Sequence, residues 1–333
     1  SQQIIKNEKG FLLDFTKNSY LTFHLRPKTS DNFFLESTCK IDDSMGIIIQ
    51  GPVGENYDFL KNTLDIYKKL FKSSSIVVST WKSEKKEVLK ELESKNITIL
   101  FNDEPDKSQS NLNHQIVSTN AGLDLLANKG IKYALKTRTD TRLNKNNLES
   151  FLIALVKSFP LKKRNDFINS RIIVPNINTY KYRLYSLTDI IMFGETLDLL
   201  KYFDKEPYEI GLKKFDIKKD SKLINDTPLV AEIFLCSRYL QKINGNINWS
   251  LDGWWESLKD YFCIIDNSSL DLFWLKYEWD YEFKYSRTYA HKFARGIDFQ
   301  DWLSLYNNSK NNWKSVFSEH EKYDEKMKIK NLI

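Results

Sequence analysis

Asp140 is the residue whose neighbours most directly suggest chemistry. It follows a strand-like segment, residues 132–137, and stands between Arg138 and Arg142. A carboxylate at the end of a strand can bind Mg²⁺ or Mn²⁺, which prefer oxygen ligands and usually hold substrate phosphates as well. Arginine side chains can also pair with phosphate directly. The cluster predicts a divalent cation on Asp140 and a diphosphate near both arginines, unless Asp140 caps a turn and the arginines are solvated.

Two further carboxylates lie in otherwise apolar segments. Asp189 precedes an Ile-Ile pair, and Glu232 lies in the first turn of a helix that begins after Pro228. A buried carboxylate is costly unless it is paired or functional, and burial raises its pKa toward the working range of a base. We expect Asp189 to act as a general base that takes a proton from a substrate hydroxyl, with Glu232 as the alternative or as a group that orients the substrate. The helix dipole offers a purely structural reason for Glu232.

A third set of candidates follows other predicted strands or opens a helix. Glycine after a strand permits close backbone approach to a ligand, and polar groups at a helix N-terminus can meet an anion or a ribose. Ordinary turns and helix caps use the same residue types. The candidates for contact with a nucleotide are Gln50, Gly51, Pro52, Thr80, Trp81, Asn113 and Gln115.

The elements that would position these residues alternate along the first half of the chain. Short apolar runs predict buried strands, and the segments between them carry apolar residues at helical spacing. The order β-α-β-α-β-α-β predicts a mainly parallel sheet flanked by helices, in which ligands bind beyond the carboxyl ends of the strands. The predicted strands cover residues 46–50, 75–79, 96–101 and 132–137, and the predicted helices cover 57–71, 83–94 and 112–128.

The second half is less regular and rich in aromatic residues. Helices are predicted over 146–157, 195–203 and 228–241, and strands over 171–175 and 187–193. The predicted organisation is a lead-in at 1–44, a nucleotide-binding half at 45–145, a second half at 146–310 that would bind the other substrate and a charged C-terminal tail or helix at 311–333. Aromatic faces in the second half can stack on sugar rings. An acidic segment, Glu278–Glu282, is a solvated surface or an alternative source of the base.

Composition excludes several classes of protein. The chain has 333 residues and a net charge of +6 with interspersed charges, which does not favour a nucleic-acid partner. It has neither a G-x-x-x-x-G-K-[ST] nor a G-x-G-x-x-G motif. The three cysteines, Cys39, Cys236 and Cys263, are widely spaced, so we expect free thiols and a reducing compartment. No apolar run is long enough to span a bilayer. These features predict a cytoplasmic protein, with peripheral contact at the inner-membrane face left open.

The motifs taken together resemble the WavE-type lipopolysaccharide synthesis family. The resemblance rests on Ile47–Pro52, Ser79–Trp81, Asn113–Thr119 with Gly122-Leu123, Tyr133–Asp140, Thr188–Gly194 and Pro228–Glu232, and it covers roughly residues 45–240. It implies a bacterial GT-A-like glycosyltransferase that binds a nucleotide sugar over a Rossmann-like sheet. It also implies that Asp140 stands where such enzymes carry a metal-binding Asp-x-Asp. In this sequence the residue two positions before Asp140 is Arg138 and not Asp. An arginine can therefore take the place of a metal ion in neutralising the diphosphate.

The resemblance therefore predicts transfer of a sugar from a nucleotide-sugar donor to a lipopolysaccharide or capsular glycan acceptor. Two alternatives stay open at this point. One is a nucleotidyltransferase that makes the activated sugar, for which the segment Gly51–Glu55 is a poor Gly-rich loop. The other is a non-catalytic glycan-binding protein, in which Asp140, Asp189 and Glu232 would share no pocket.

Overall fold

The computed structural model describes residues 19–21, 25–27, 44–72, 74–106, 108, 111–163, 165–205, 231–277 and 296–308. Several features of the sequence fall outside these ranges. They include Cys39, Pro228, the Glu278–Glu282 segment, residues 311–333 and most of the lead-in at 1–44. Cys236 and Cys263 are free and buried, as predicted for them. Among the helices in the described ranges, none combines the length and apolar character needed to cross a membrane.

Eleven strands lie in the described residues. They are β1 (Ser19–Leu21), β2 (Leu25–Pro27), β3 (Met45–Gln50), β4 (Ser75–Trp81), β5 (Ile97–Asn102), β6 (Tyr133–Arg138), β7 (Thr141–Leu143), β8 (Ile172–Pro175), β9 (Met192–Glu195), β10 (Phe262–Ile265) and β11 (Leu272–Trp274). Two antiparallel pairs, β1 with β2 and β7 with β11, stand apart from the main sheet.

The main sheet has seven strands in the order β10-β8-β9-β6-β3-β4-β5. Neighbouring strands are parallel from β6 to β5 and between β10 and β8, whereas β9 is antiparallel to both β6 and β8. Six strands therefore end at one edge of the sheet, and β9 begins there. This architecture confirms the predicted mainly parallel sheet, and it draws strands from both halves of the chain.

Eight α-helices flank the sheet within the described residues. They are α1 (Tyr57–Leu70), α2 (Lys86–Lys90), α3 (Leu112–Asn128), α4 (Leu148–Ser158), α5 (Thr196–Tyr202), α6 (Ala231–Asn244), α7 (Leu251–Tyr261) and α8 (Phe299–Asn307). The predicted helix 83–94 shrinks to α2, where Val88, expected inside, is 37% exposed. One short apolar stripe buries too little surface to extend this highly charged helix.

The close packing of α3 on β3 fixes the helix that opens beside the candidate site. All six residues of β3 are buried, as expected for a strand covered on both faces. A Cβ atom on Gly122 would lie 2.7 Å from Ile48 Cγ2, and one on Gly46 would lie 2.5 Å from Leu126 Cδ1. Glycine at these two positions lets helix and strand approach closely, so the N-terminus of α3 has a defined position over the sheet.

The strand predicted over residues 187–193 is replaced by a loop and the shorter β9. The backbone carbonyls of Asp189 and Ile190 accept hydrogen bonds from the Lys136 ammonium group. They therefore face a side chain rather than a neighbouring strand. Because β9 begins at the edge where β6 ends, this loop places Asp189 at the carboxyl edge of the sheet.

The aromatic-rich part of the second half, for which no elements were predicted, forms α7, β10 and β11 within the described residues. The indole N–H of Trp254 donates to the Tyr180 carbonyl at 2.9 Å, and that of Trp255 donates to the Lys181 carbonyl at 2.7 Å. Both indoles are fully buried. Burial of such large side chains is strongly stabilising when their N–H groups are satisfied, so these two residues hold the connection between β8 and β9 against α7.

Candidate functional site

A cleft of about 470 Å³ opens at the carboxyl edge of the sheet. Nine of the predicted site residues line it. They are Gln50, Gly51, Pro52, Trp81, Gln115, Arg138, Asp140, Asp189 and Glu232. The structure adds further lining residues, among them Asn111, His114, Thr139, Asn178, Trp274 and Lys276. Asp140, Asp189 and Glu232 thus share one pocket, which is the arrangement expected of an active site and not of a scattered set of surface carboxylates.

Three predicted residues do not line the cleft. Thr80 is fully buried, and the Asn113 side-chain amide donates to the Asp106 carbonyl at 3.2 Å. Arg142 is buried against α1, where its Nε donates to Thr63 Oγ1 at 2.8 Å and its guanidinium lies 4.3 Å from the Phe59 ring centroid. Spacing alone placed Arg142 beside Asp140, but the turn after β6 and the pairing of β7 with β11 direct it away from the cleft. Arg142 is therefore a packing residue.

The ends of β3, β4 and β6 are tied together below the cleft. The Thr139 N–H donates to the Gln50 carbonyl at 3.1 Å, and its hydroxyl donates to the Pro52 carbonyl at 2.6 Å. Gly51, with φ of +119°, donates to the Ser79 carbonyl at 3.1 Å. Residues with a side chain rarely adopt this φ, so glycine is needed at the turn.

Asp140 is held by three hydrogen bonds to its carboxylate. Arg138 donates from Nε to Oδ1 at 2.8 Å and from Nη2 to Oδ2 at 3.0 Å, and Trp274 Nε1 donates to Oδ2 at 2.9 Å. Burial alone would raise the pKa of Asp140, but the hydrogen bonds and charge of Arg138 outweigh it and lower that pKa. Asp140 is therefore an ionised member of a bidentate ion pair.

The residues around Asp140 do not fit the divalent cation predicted from the sequence. The positively charged guanidinium of Arg138 lies against both carboxylate oxygens and would repel a divalent cation there, and the three hydrogen bonds leave at most one lone pair, on Oδ1, for such an ion. No group of three or more His, Cys, Asp or Glu side chains in the described ranges is arranged to hold a metal ion. Asp140 instead holds the Arg138 side chain in a fixed orientation.

Lys136 lies fully buried beneath the carboxylates of the cleft. Its ammonium group donates to the carbonyls of Asp189 and Ile190 and lies 5.5 Å from the Phe203 ring centroid. Burial lowers the pKa of Lys136 to about 7, and the negative charge of Asp189 only partly opposes this effect. Lys136 thereby fixes the loop that carries Asp189.

Glu232 is the carboxylate whose proton affinity is most clearly altered. Burial at the start of α6, together with the nearby negative charge of Asp189, raises the pKa of Glu232 to about 7. The positive charges of Arg183 and Lys136 act in the opposite direction and are weaker. A carboxylate with this pKa can both accept and release a proton near neutral pH, which suits general base catalysis.

An aromatic pair lines the cleft near the end of β4. The rings of Trp81 and His114 meet edge to face, with centroids 5.2 Å apart. His114 Nδ1 is buried and has no hydrogen-bond partner among the described residues. The sequence predicts the start of this helix, but the candidates chosen from it were Asn113 and Gln115 and not His114. Helical geometry turns Asn113 away, and His114 and Gln115 face the cleft.

The missed residues Trp274 and Lys276 come from a distant part of the chain. β11 pairs with β7, and the Leu275 N–H donates to the Asp140 carbonyl at 2.9 Å. Two three-residue strands have no readable periodicity, so this pairing has no local sequence signal. The sequence shows that the region is rich in aromatic residues, but it does not show that β11 pairs with β7.

Comparison with known proteins gives one family match. A family model described as WavE lipopolysaccharide synthesis matches residues 45–332, which confirms the predicted resemblance and supports the expectation of a glycosyltransferase. No curated protein matches the chain.

The solved structures that match the chain do so with low TM-scores and low sequence identity. The galactosyltransferase LgtC in complex with donor and acceptor sugar analogues has a TM-score of 0.32 at 8% identity, with 66% of this chain and 73% of that chain covered. A cytidylyltransferase from Leptospira borgpetersenii has a TM-score of 0.36 at 13% identity, covering 86% and 98%. Mouse xyloside xylosyltransferase 1 has a TM-score of 0.37 at 10% identity, covering 70% and 97%.

Proposed function

The chain belongs to the WavE lipopolysaccharide synthesis family, and from this premise we propose that it transfers a sugar from a nucleotide-sugar donor to a lipopolysaccharide or capsular glycan acceptor. One observation carries the proposal. A single cleft brings together Arg138, which is suited to a diphosphate, and Glu232, whose pKa of about 7 suits proton transfer. Inverting glycosyl transfer from a nucleotide sugar uses both functions.

The donor would lie across the ends of β3, β4 and β6. Gln50 and Gly51 offer a close backbone approach at the first strand end, and Trp81 with His114 offers ring surfaces and an unused imidazole nitrogen for a base or ribose. Arg138 lies next to them, at the position where the diphosphate would follow. Gln50 is already oriented, because its Oε1 accepts a hydrogen bond of 2.8 Å from Ser118.

We assign the base to Glu232 and the orientation of the acceptor to Asp189. In the proposed step, an acceptor hydroxyl oxygen attacks the anomeric carbon and its proton passes to Glu232. The bond from that carbon to the diphosphate oxygen breaks, and the electron pair leaves with the nucleoside diphosphate. The negative charge of Asp189 keeps Glu232 a strong enough base for this transfer. This assignment reverses the prediction from the sequence, which favoured Asp189 as the base and kept Glu232 as the alternative.

The test is a two-stage screen of the full chain. Thermal shift with a panel of nucleoside diphosphates and nucleotide sugars identifies the donor class, since a specific ligand stabilises the native state. The best donor is then incubated with lipopolysaccharide, and release of nucleoside diphosphate is measured. We expect acceptor-dependent release. Pyrophosphate release from a nucleoside triphosphate and a sugar phosphate would instead favour the nucleotidyltransferase alternative, and glycan binding without turnover would favour the binding protein.

The location of the reaction is a further part of the proposal. Free, buried Cys236 and Cys263 suit a reducing compartment such as the cytoplasm. The acceptor would then be reached at the inner-membrane face through a peripheral contact. Fractionation of cells at low and high salt would test this placement, because a peripheral electrostatic contact is released by salt.

A further inference from the structure

The geometry at the β6–β7 turn points to a specific way of binding the donor. We propose that the guanidinium of Arg138, anchored by Asp140 and Trp274, takes the place of a divalent cation in binding the donor diphosphate, so that nucleoside diphosphates bind without metal. The inference rests on the proposed function, since it names the chemistry by which that same cleft holds its donor.

The first step is that Arg138 is held in a fixed orientation but has N–H groups that its bonds to Asp140 do not use. Its Nε and Nη2 bind the two oxygens of Asp140, and its guanidinium lies 5.8 Å from the Trp274 ring centroid. The side chain is still 33% exposed and lines the cleft. Arginine has further N–H groups on Nη1 and Nη2 beyond the two in this ion pair. These can meet phosphate oxygens with the geometry already set.

The second step is that Asp140 fixes the orientation of Arg138. Burial by itself would lower the pKa of Arg138, but its hydrogen bonds to Asp140 and the charge of that carboxylate raise the pKa instead. Asp140 is therefore a positioning residue. It holds the fork rigid, which reduces the entropy lost when the diphosphate binds.

The third step is that the same turn brings a second positive charge to the cleft. Lys276 lines the cleft two residues after Trp274, and the Leu275 N–H donates to the Asp140 carbonyl at 2.9 Å. The β7–β11 pairing thus brings two distant parts of the chain together at the cleft.

The fourth step is that the described residues of the cleft offer a divalent cation no comparable binding site. Asp140 has both oxygens engaged, as described above, and the remaining carboxylates of the cleft are Asp189 and Glu232. Burial and the charge of Asp189 raise the pKa of Glu232, which weakens it as a cation ligand. The anion site built on Arg138 needs neither of them.

The experiment is calorimetric titration of the full chain with uridine, guanosine, cytidine and adenosine diphosphates. Each is measured in EDTA and again in MnCl₂. We expect the best nucleotide to bind with equal Kd in both buffers, within about twofold. The Arg138→Lys variant should bind at least about tenfold more weakly, because an ammonium group cannot replace a bidentate fork. Asp140→Asn should weaken binding by a smaller factor and create no need for Mn²⁺. Lys61→Gln, on the exposed face of α1, is the matched control and should bind as wild type.

The outcomes separate this inference from the proposed function. Binding that requires Mn²⁺, or binding unchanged in a folded Arg138→Lys protein, would overturn the arginine site and leave a glycosyltransferase intact. If no nucleoside diphosphate or nucleotide sugar binds the folded wild-type chain in either buffer, the proposed function itself is wrong, and the inference falls with it. Circular dichroism and ligand-free melting temperature establish that each variant is folded.

Discussion

Trp274 donates a 2.9 Å hydrogen bond from its indole Nε1 to Oδ2 of Asp140, although 134 positions separate the two residues in sequence. This bond joins β11 to the turn after β6. It adds a second hydrogen bond to Oδ2 of a partly buried carboxylate whose other hydrogen bonds all come from Arg138. The anion site at Arg138 therefore depends on a contact between two distant parts of the chain.

Replacing Trp274 with Phe should separate the hydrogen bond from the ring. Trp274→Phe keeps an aromatic face beside Arg138 but removes the donor to Asp140. We expect a loss of about 1 kcal/mol in the free energy of unfolding, measured by urea denaturation, and about fivefold weaker nucleoside diphosphate binding. Wild-type affinity in a folded Trp274→Phe protein would show that the indole N–H does not support the site.

Replacing Arg138 with Asp should make nucleoside diphosphate binding depend on a divalent cation. Arg138→Asp places two carboxylates at positions 138 and 140, the pattern that a hard cation prefers. We expect this variant to lose nucleoside diphosphate binding in EDTA and to recover part of it in MnCl₂, as measured by titration calorimetry. Full binding by Arg138→Asp in EDTA would contradict the role given to the arginine.

Arg142 should behave differently from Arg138 although both flank the same acid. Arg142→Met removes hydrogen bonds to Thr63 and to the Phe59 carbonyl but leaves the cleft untouched. We expect the free energy of unfolding to fall by about 2–3 kcal/mol, because the Thr63 hydroxyl and the Phe59 carbonyl each lose a buried hydrogen-bond donor. The nucleotide Kd of the folded fraction should stay at the wild-type value. A tenfold weaker Kd would return Arg142 to the binding site.

Lys136 should make stability depend on pH above neutrality. Its pKa is lowered to about 7 in the folded protein, below its ordinary value of 10.5, so the unfolded chain binds more protons between these limits. Its contribution to stability is therefore full above pH 10.5 and is lost as pH falls toward 7. We expect Lys136→Met to flatten this rise in the urea-derived free energy of unfolding between pH 7 and 9. An unchanged slope would mean that Lys136 is not titrating in this range.

Much of the first half of the fold can be predicted from local pattern. β3 to β6 and α3 follow from apolar runs and helical spacing, because β3, β4 and β6 are buried on both faces and the strands are short and apolar. Since parallel strands end at one edge, the pattern also predicts that Gln50, Trp81 and Asp140 meet there. That prediction agrees with the cleft.

The rest depends on contacts between distant residues. No local feature distinguishes Arg142, which faces α1, from Arg138, which faces the cleft, because both are arginines near one strand end. The loop at Asp189 is set by the buried Lys136, whose side chain competes with strand pairing for two carbonyl groups. Trp274 joins the site through a three-residue strand whose partner lies far away in sequence.

The pH dependence of transfer follows from Glu232. Its pKa of about 7 means that the deprotonated, basic form grows as pH rises through neutrality. We expect the rate of acceptor-dependent nucleoside diphosphate release to rise from pH 6 to 8 with a midpoint near 7. The raised pKa also means that Glu232 stabilises the fold most below pH 4.5, and this contribution is lost as pH rises through 7. A flat rate profile would point to a different base.

The most direct measurement compares Glu232→Gln with wild type in donor affinity and in transfer rate, with Asp189→Asn alongside. We expect Glu232→Gln to bind the nucleotide sugar with the wild-type Kd and to release nucleoside diphosphate onto lipopolysaccharide about 10²–10⁴-fold more slowly. Asp189→Asn should keep the donor Kd, raise the KM for the acceptor and shift the midpoint of the pH profile downward, because it removes a charge that raises the Glu232 pKa. If Glu232→Gln transfers sugar at the wild-type rate, Glu232 is not the base and the proposed chemistry of the cleft is wrong.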